Sequence, residues 1–176
     1  MNYKDLIDRL RLHFQDEREL RRSLYNILGF YPHDIQLYKQ ALLHKSVGRR
    51  NEKGRPLNNE RLEFLGDAVL ELVSSDLLYS LYPGYDEGKL SKIRAMLVCE
   101  PALSACAEKI GLGRFILLGK GEDHSGGRKR PSILSDAFEA VMGAVYLDGG
   151  FEKAREFILN YALADAGTAD IEASAI

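Results

Sequence analysis

Glu60, Glu63, Asp67 and Glu71 follow one another three or four residues apart, and Asp136 and Glu139 repeat the spacing about seventy positions later. At about 100° per residue, the first four acids share roughly 80° of a helical wheel. Leu62, Leu65, Val69, Leu72 and Val73 fill the apolar arc opposite them. Charge on one side of a helix ordinarily marks a solvated face. Such a face mixes signs, because a cation four residues from an acid stabilises both. Here Glu63, Asp67 and Glu71 run i, i+4, i+8, all acidic, at about 0.2–0.5 kcal/mol per like pair. A helix that accepts this cost has a cation to hold.

The second pair strengthens that reading. Between Ser132 and Leu147, the residues Leu134, Ala137, Phe138, Val141, Met142 and Val145 form one apolar face. Asp136 and Glu139 lie opposite, beside Ala140 and Gly143, where small side chains leave room for another molecule. Two such faces brought together would offer oxygen-only ligands, which suit Mg2+, or Mn2+ in its place, better than zinc. Carboxylates from several helices also build di-iron sites, which use paired Glu-x-x-His motifs. No Glu in this chain has His three residues later, which excludes that chemistry.

The elements that must carry these acids are helices. Periodic apolar residues predict helices over 3–28, 34–45, 59–82, 87–97, from Pro101 to near Gly111, over 132–147, and from the Gly149-Gly150 break to about Ala162. No alternating strand pattern occurs, and 115–118 is the one short extended candidate, so the expected fold class is all-α. Two polar segments rich in turn formers, 48–59 and 119–130, read as basic loops. Arg49, Arg50, Lys53 and Arg55 lie in the first, with Lys120, Arg128, Lys129 and Arg130 in the second. Beside an acidic cleft, these cations fit contacts to nucleic-acid phosphates. His44 reads as a capping or packing residue, and Asp76 falls unexpectedly on the apolar arc.

Composition narrows the class. With 176 residues, 45% hydrophobic and 28% charged, one core-forming domain is expected. There is no apolar run of membrane-spanning length and no signal-peptide core in the first residues, so the cytoplasm is the default. Cys99 and Cys106 have neither zinc spacing nor a disulfide context and read as reduced core thiols. A net charge of −2 implies weak, steeply salt-dependent binding to nucleic acid.

The segment NERLEFLGDAVL, Asn59–Leu70, resembles the signature of ribonuclease III. Three companions occur in order: ALLHKS at Ala41–Ser46, PGYDEGKLSKIRAMLV at Pro83–Val98, and LGKGEDHSGGRKRPSILSDAFEAVMGAVYLDGG at Leu118–Gly150. Together they cover roughly residues 25–160. The resemblance implies a helical endonuclease domain over 25–162, preceded by an N-terminal helical extension, 1–24. It makes Glu63, Asp67, Asp136 and Glu139 the catalytic, metal-holding acids, with Glu60 and Glu87 as supporting cleft acids. It implies hydrolysis of double-stranded RNA by a metal-activated water, in rRNA and mRNA processing, leaving 5′-phosphate and 3′-hydroxyl ends with a short 3′ overhang. No small-molecule cofactor and no membrane are implied. It also implies a homodimer, which would explain Phe64, an aromatic on the acidic side of its helix that fits an anchor in a partner pocket. All six acids are present, which disfavours the alternative, a non-catalytic RNA-binding or ribosome-associated module of the same fold. No second basic α/β segment resembling a double-stranded-RNA-binding domain follows, and 163–176 is expected to be a disordered tail or a truncated linker.

Overall fold

The computed structural model describes residues 17–164. The chain divides into two compact units, the first ending at Gln36 and the second beginning at Leu37. In the first, residues 17–28 form helix α1, with Leu24, Ile27 and Leu28 buried along one side. Gly29, at φ 79°, ends it with its N–H on the Tyr25 carbonyl, a left-handed turn that favours glycine. Tyr25 stacks on Tyr31 at 4.4 Å, and Arg21 donates to the Pro32 carbonyl at 2.7 Å. Residues 3–16 of the expected first helix lie outside the described residues, as do 165–176 of the tail.

Helix α2, Ile35–Ala41, is followed by a 3-10 turn at Lys45–Val47. Then come α3 Glu60–Leu81, α4 Glu87–Leu97 and α5 Glu100–Lys109, each within a residue or two of its expected bounds. Asp86 caps α4 by accepting the Lys89 N–H, and Pro101 occupies the first turn of α5, where a missing N–H costs nothing. The last element, α7, runs Pro131–Tyr161 and breaks at Gly150, whose φ of 82° and ψ of 178° no other residue adopts easily. The expected pair of helices is thus present, joined at the Gly-Gly break.

The first half of α7 is the spine of the second unit. From Ile133 to Val145 it is buried nearly all round, which is the pattern of a helix enclosed by others. Asp136 and Glu139 are the charged interruptions. Phe138 and Phe157 pack at 5.7 Å across the break in α7, each ring worth roughly 1.5–3 kcal/mol when buried. Among the described residues there is no extended sheet, only isolated bridges Leu43–Leu117 and Arg50–Pro56, so the all-α class holds.

Two expectations are corrected. The segment 119–130 is not an open loop: it forms α6, Lys120–His124, and a 3-10 turn at Gly127–Lys129. Arg128 organises it, donating to the Gly113 and Ile116 carbonyls at 2.9 and 2.7 Å and pairing with Asp123. Leu72, on the apolar arc expected to face the core, is 57% exposed. That side of the helix faces solvent, which also accounts for Asp76, an exposed acid paired with Arg155 at 3.9 Å.

Candidate active site

Helices α3 and α7 cross with almost no space between their backbones. A β-carbon placed on Gly66 would collide with the Glu139 carbonyl, and one on Gly143 with the Leu62 carbonyl. Each glycine is therefore required by the neighbouring main chain. The crossing lies between Glu63 and Asp67 on one helix and at Glu139 on the other, so it delivers carboxylates from both to one place.

Their proton affinities follow the same proximity. Burial first, then the negative charges of Asp67, Glu63 and Asp136, push the Glu139 carboxyl up to about 8. Glu63 is raised by burial and then by Asp136, Glu60 and Asp67. Burial also raises Asp136, and Asp67 is raised by burial and by Glu71. None of the four carboxylates makes a hydrogen bond or ion pair among the described residues, and no unpartnered oxygen is sealed from solvent. These carboxylates are open to a visiting ion.

The flanking acids differ. Glu60 accepts from Lys45 Nζ at 3.2 Å and from Asn58 Nδ2 at 3.0 Å, and these bonds hold its carboxyl below the usual range. Glu71 pairs with Arg94 at 3.8 Å, and the same guanidinium donates to Ser75 Oγ. Glu87 begins α4, outside the two helices of the crossing. It accepts from Ser91 Oγ at 2.8 Å and lines a cleft of about 710 Å³ with Leu72, Tyr79, Tyr85 and Arg94.

The donor set suits a hard divalent cation: four carboxylates, short of counter-charge, with solvent-facing oxygens. Among the described residues, no three metal-capable side chains already stand at gripping distance. Glu63, Asp67, Asp136 and Glu139 fit such an ion by the chemistry of their donors.

The basic residues divide sharply. Arg49, Lys53, Arg55, Lys120 and Lys129 are exposed, and their side chains make no hydrogen bond or ion pair among the described residues. Arg50 donates to the Gly54 carbonyl, Arg128 is engaged as described, and Arg130 is held by Glu122 and Ser125. Phe64 is 79% exposed on α3, with Leu72 and Tyr79 also bare further along the helix. His44 caps the 3-10 turn, as its sequence position suggested. Cys99 and Cys106 are free thiols, each half-buried. Sequence reasoning overlooked Lys45 and Arg94, the cations that engage the outer acids. Both lie inside motifs already recognised, but a salt bridge between distant segments has no sequence period to reveal it.

The chain matches the ribonuclease-III-like family model over residues 34–166. It is 52% identical over 146 residues to Ribonuclease 3 of Desulforamulus reducens, covering 83% of this chain and 58% of that protein. Ribonuclease 3 of Pelotomaculum thermopropionicum is 51% identical over 146 residues, with coverages of 83% and 61%. The chain thus spans about three fifths of the length of these curated relatives. The crystal structure of the nuclease domain of ribonuclease III from Campylobacter jejuni superposes with a TM-score of 0.75 at 42% identity, covering 85% of this chain and 97% of that one.

Proposed function

The chain belongs to the ribonuclease III family, and on that premise we propose that it is a metal-dependent endoribonuclease of double-stranded RNA. The observation that carries this is the crossing of α3 and α7, which collects Glu63, Asp67, Asp136 and Glu139 without cationic partners. The residues of the nuclease domain proper are 25–162. Glu63, Asp136 and Glu139 would hold the ion, Mg2+ or in its place Mn2+, and Asp67 would orient the attacking water. When bound, a divalent cation supplies Lewis-acid charge neutralisation at the phosphate and acidifies water. Among the described residues the acid cluster holds no Ser, Cys or His hydrogen-bonded to it as a nucleophile, so the attack is assigned to water. Glu139, whose carboxyl is pushed up to about 8 by burial and its acidic neighbours, would give up its proton on holding the ion. Attack in line leaves 5′-phosphate and 3′-hydroxyl ends.

The unengaged cations Arg49, Lys53, Arg55, Lys120 and Lys129 supply backbone contacts, so recognition follows duplex shape more than sequence. One set of four acids cuts one strand. A homodimer supplies the second set, and the exposed Phe64 fits an anchor in its interface. Incubating long duplex RNA with and without magnesium, and sizing the products, tests the proposal. Short duplexes with 3′ overhangs, formed only with the metal, are the expected result. Binding without cleavage in both arms supports the non-catalytic module instead.

A further inference from the structure

Lys45 pairs with Glu60 at 3.2 Å, one helical turn before Glu63 on α3, which places its ammonium at the edge of the acid cluster. The turn that presents it is tightly fixed. Within it, Ser46 N–H donates to His44 Nδ1 at 3.2 Å, and Ser46 Oγ lies 2.7 Å from the same nitrogen. The Gly119 N–H donates to Ser46 Oγ at 2.8 Å, which leaves the hydroxyl proton for His44. Nδ1 therefore accepts and the ring is neutral, consistent with burial holding the His44 pKa down. Gly119 is pressed so closely on the Ser46 carbonyl that a β-carbon there would collide with it. The backbone is pinned, while the Lys45 side chain remains 63% exposed.

Its partner is also fixed. Glu60 is held by Asn58 Nδ2, and its own N–H donates to Asn58 Oδ1 at 3.1 Å. An exposed pair of this kind contributes at most about 1 kcal/mol, so a stronger anion can displace Glu60. A phosphodiester approaching the acid cluster is repelled by its carboxylates and attracted by this ammonium at its edge. We propose that Lys45 is a phosphate-positioning residue, which leaves Glu60 to hold an RNA backbone phosphate at the edge of the cleavage site. Glu60 keeps the ammonium aimed across the cleft until the duplex arrives. This inference rests on the double-stranded-RNA reading above.

The test compares the wild type with Lys45→Ala, Lys45→Arg and Glu60→Gln. Cleavage of a long RNA duplex in magnesium gives KM and kcat, and duplex binding without divalent ion gives the salt slope. Lys45→Ala should raise KM about tenfold, change kcat little, and reduce the salt slope by about 1. Lys45→Arg should restore both, because a guanidinium also holds phosphate. Glu60→Gln, which releases Lys45, should bind duplex at least as tightly as the wild type. Melting temperatures of all variants should coincide. A wild-type KM and slope in Lys45→Ala, with cleavage intact, would overturn this inference alone. So would failed rescue by Arg, or equal weakening by Glu60→Gln, which would make the ion pair a strut. If the wild type neither binds nor cuts the duplex, the RNA reading falls and this inference with it.

Discussion

Helix α3 carries two kinds of acid. Its outer pair, Glu60 and Glu71, is engaged by Lys45 and Arg94. Its inner pair, Glu63 and Asp67, has no cation in contact and faces Asp136 and Glu139 instead. The wheel drawn from sequence treats all four alike, since they share one face. The difference separates them: the outer members are each engaged by a cation, while the inner ones lie among carboxylates, as the proposed ion site requires. The cations divide the same way, Arg128 locked into main-chain carbonyls and Lys53 bare.

The strongest contrast should come from removing one acid of each kind. Glu139→Gln should cut duplex cleavage by more than about a hundredfold, exceeding the losses typical of residues that merely support a ligand. Glu71→Gln, whose charge is matched to Arg94, should cleave near the wild-type rate. Equal losses in the two would erase the distinction between inner and outer acids.

Next in size is the crossing that separates them. Gly66→Ala drives a methyl group into the Glu139 carbonyl, which backbone cannot avoid by rotation. It should cost about 1–3 kcal/mol, read as a lowered melting temperature, and reduce cleavage as the acids move apart. Gly88→Ala on α4 meets only ordinary contact and serves as the control.

A subtler effect appears in metal-free stability. The folded-state pKa of Glu139 is raised above its unfolded value near 4.5, to about 8. The folded chain therefore binds more protons in that window, and its stability falls as pH rises from about 4.5 through about 8. Melting curves across this range should show the decline, and Glu139→Gln should flatten it. The smallest expected change concerns the cations. Lys53→Ala should lower the salt slope of duplex binding by about 1 without affecting melting, whereas Arg128→Ala should destabilise the fold.

Much of this was readable in the chain. The helix bounds of α3, α4 and α5 follow from apolar period, Asp86 and Pro101, because capping and periodicity are local. The four acids follow from spacing and from the family motif. What spacing could not show was non-local. Leu72 sits on the apolar arc yet is exposed, since a wheel gives a side's character and not what covers it. The glycines and charges of 119–130 read as a loop because the two arginine–carboxylate pairs that fold it, Arg128–Asp123 and Arg130–Glu122, form only in three dimensions. Gly66 and Gly143, each beside an acid, were the readable trace of the close crossing.

Titration calorimetry of Mg2+ or Mn2+ into the chain near pH 7, repeated in buffers of different ionisation enthalpy, tests the shared ion most directly. Saturable binding that expels about one proton per chain, with the proton lost in Glu139→Gln and kept in Glu71→Gln, is the expected result. No saturable binding, or binding indifferent to Glu139, would contradict it.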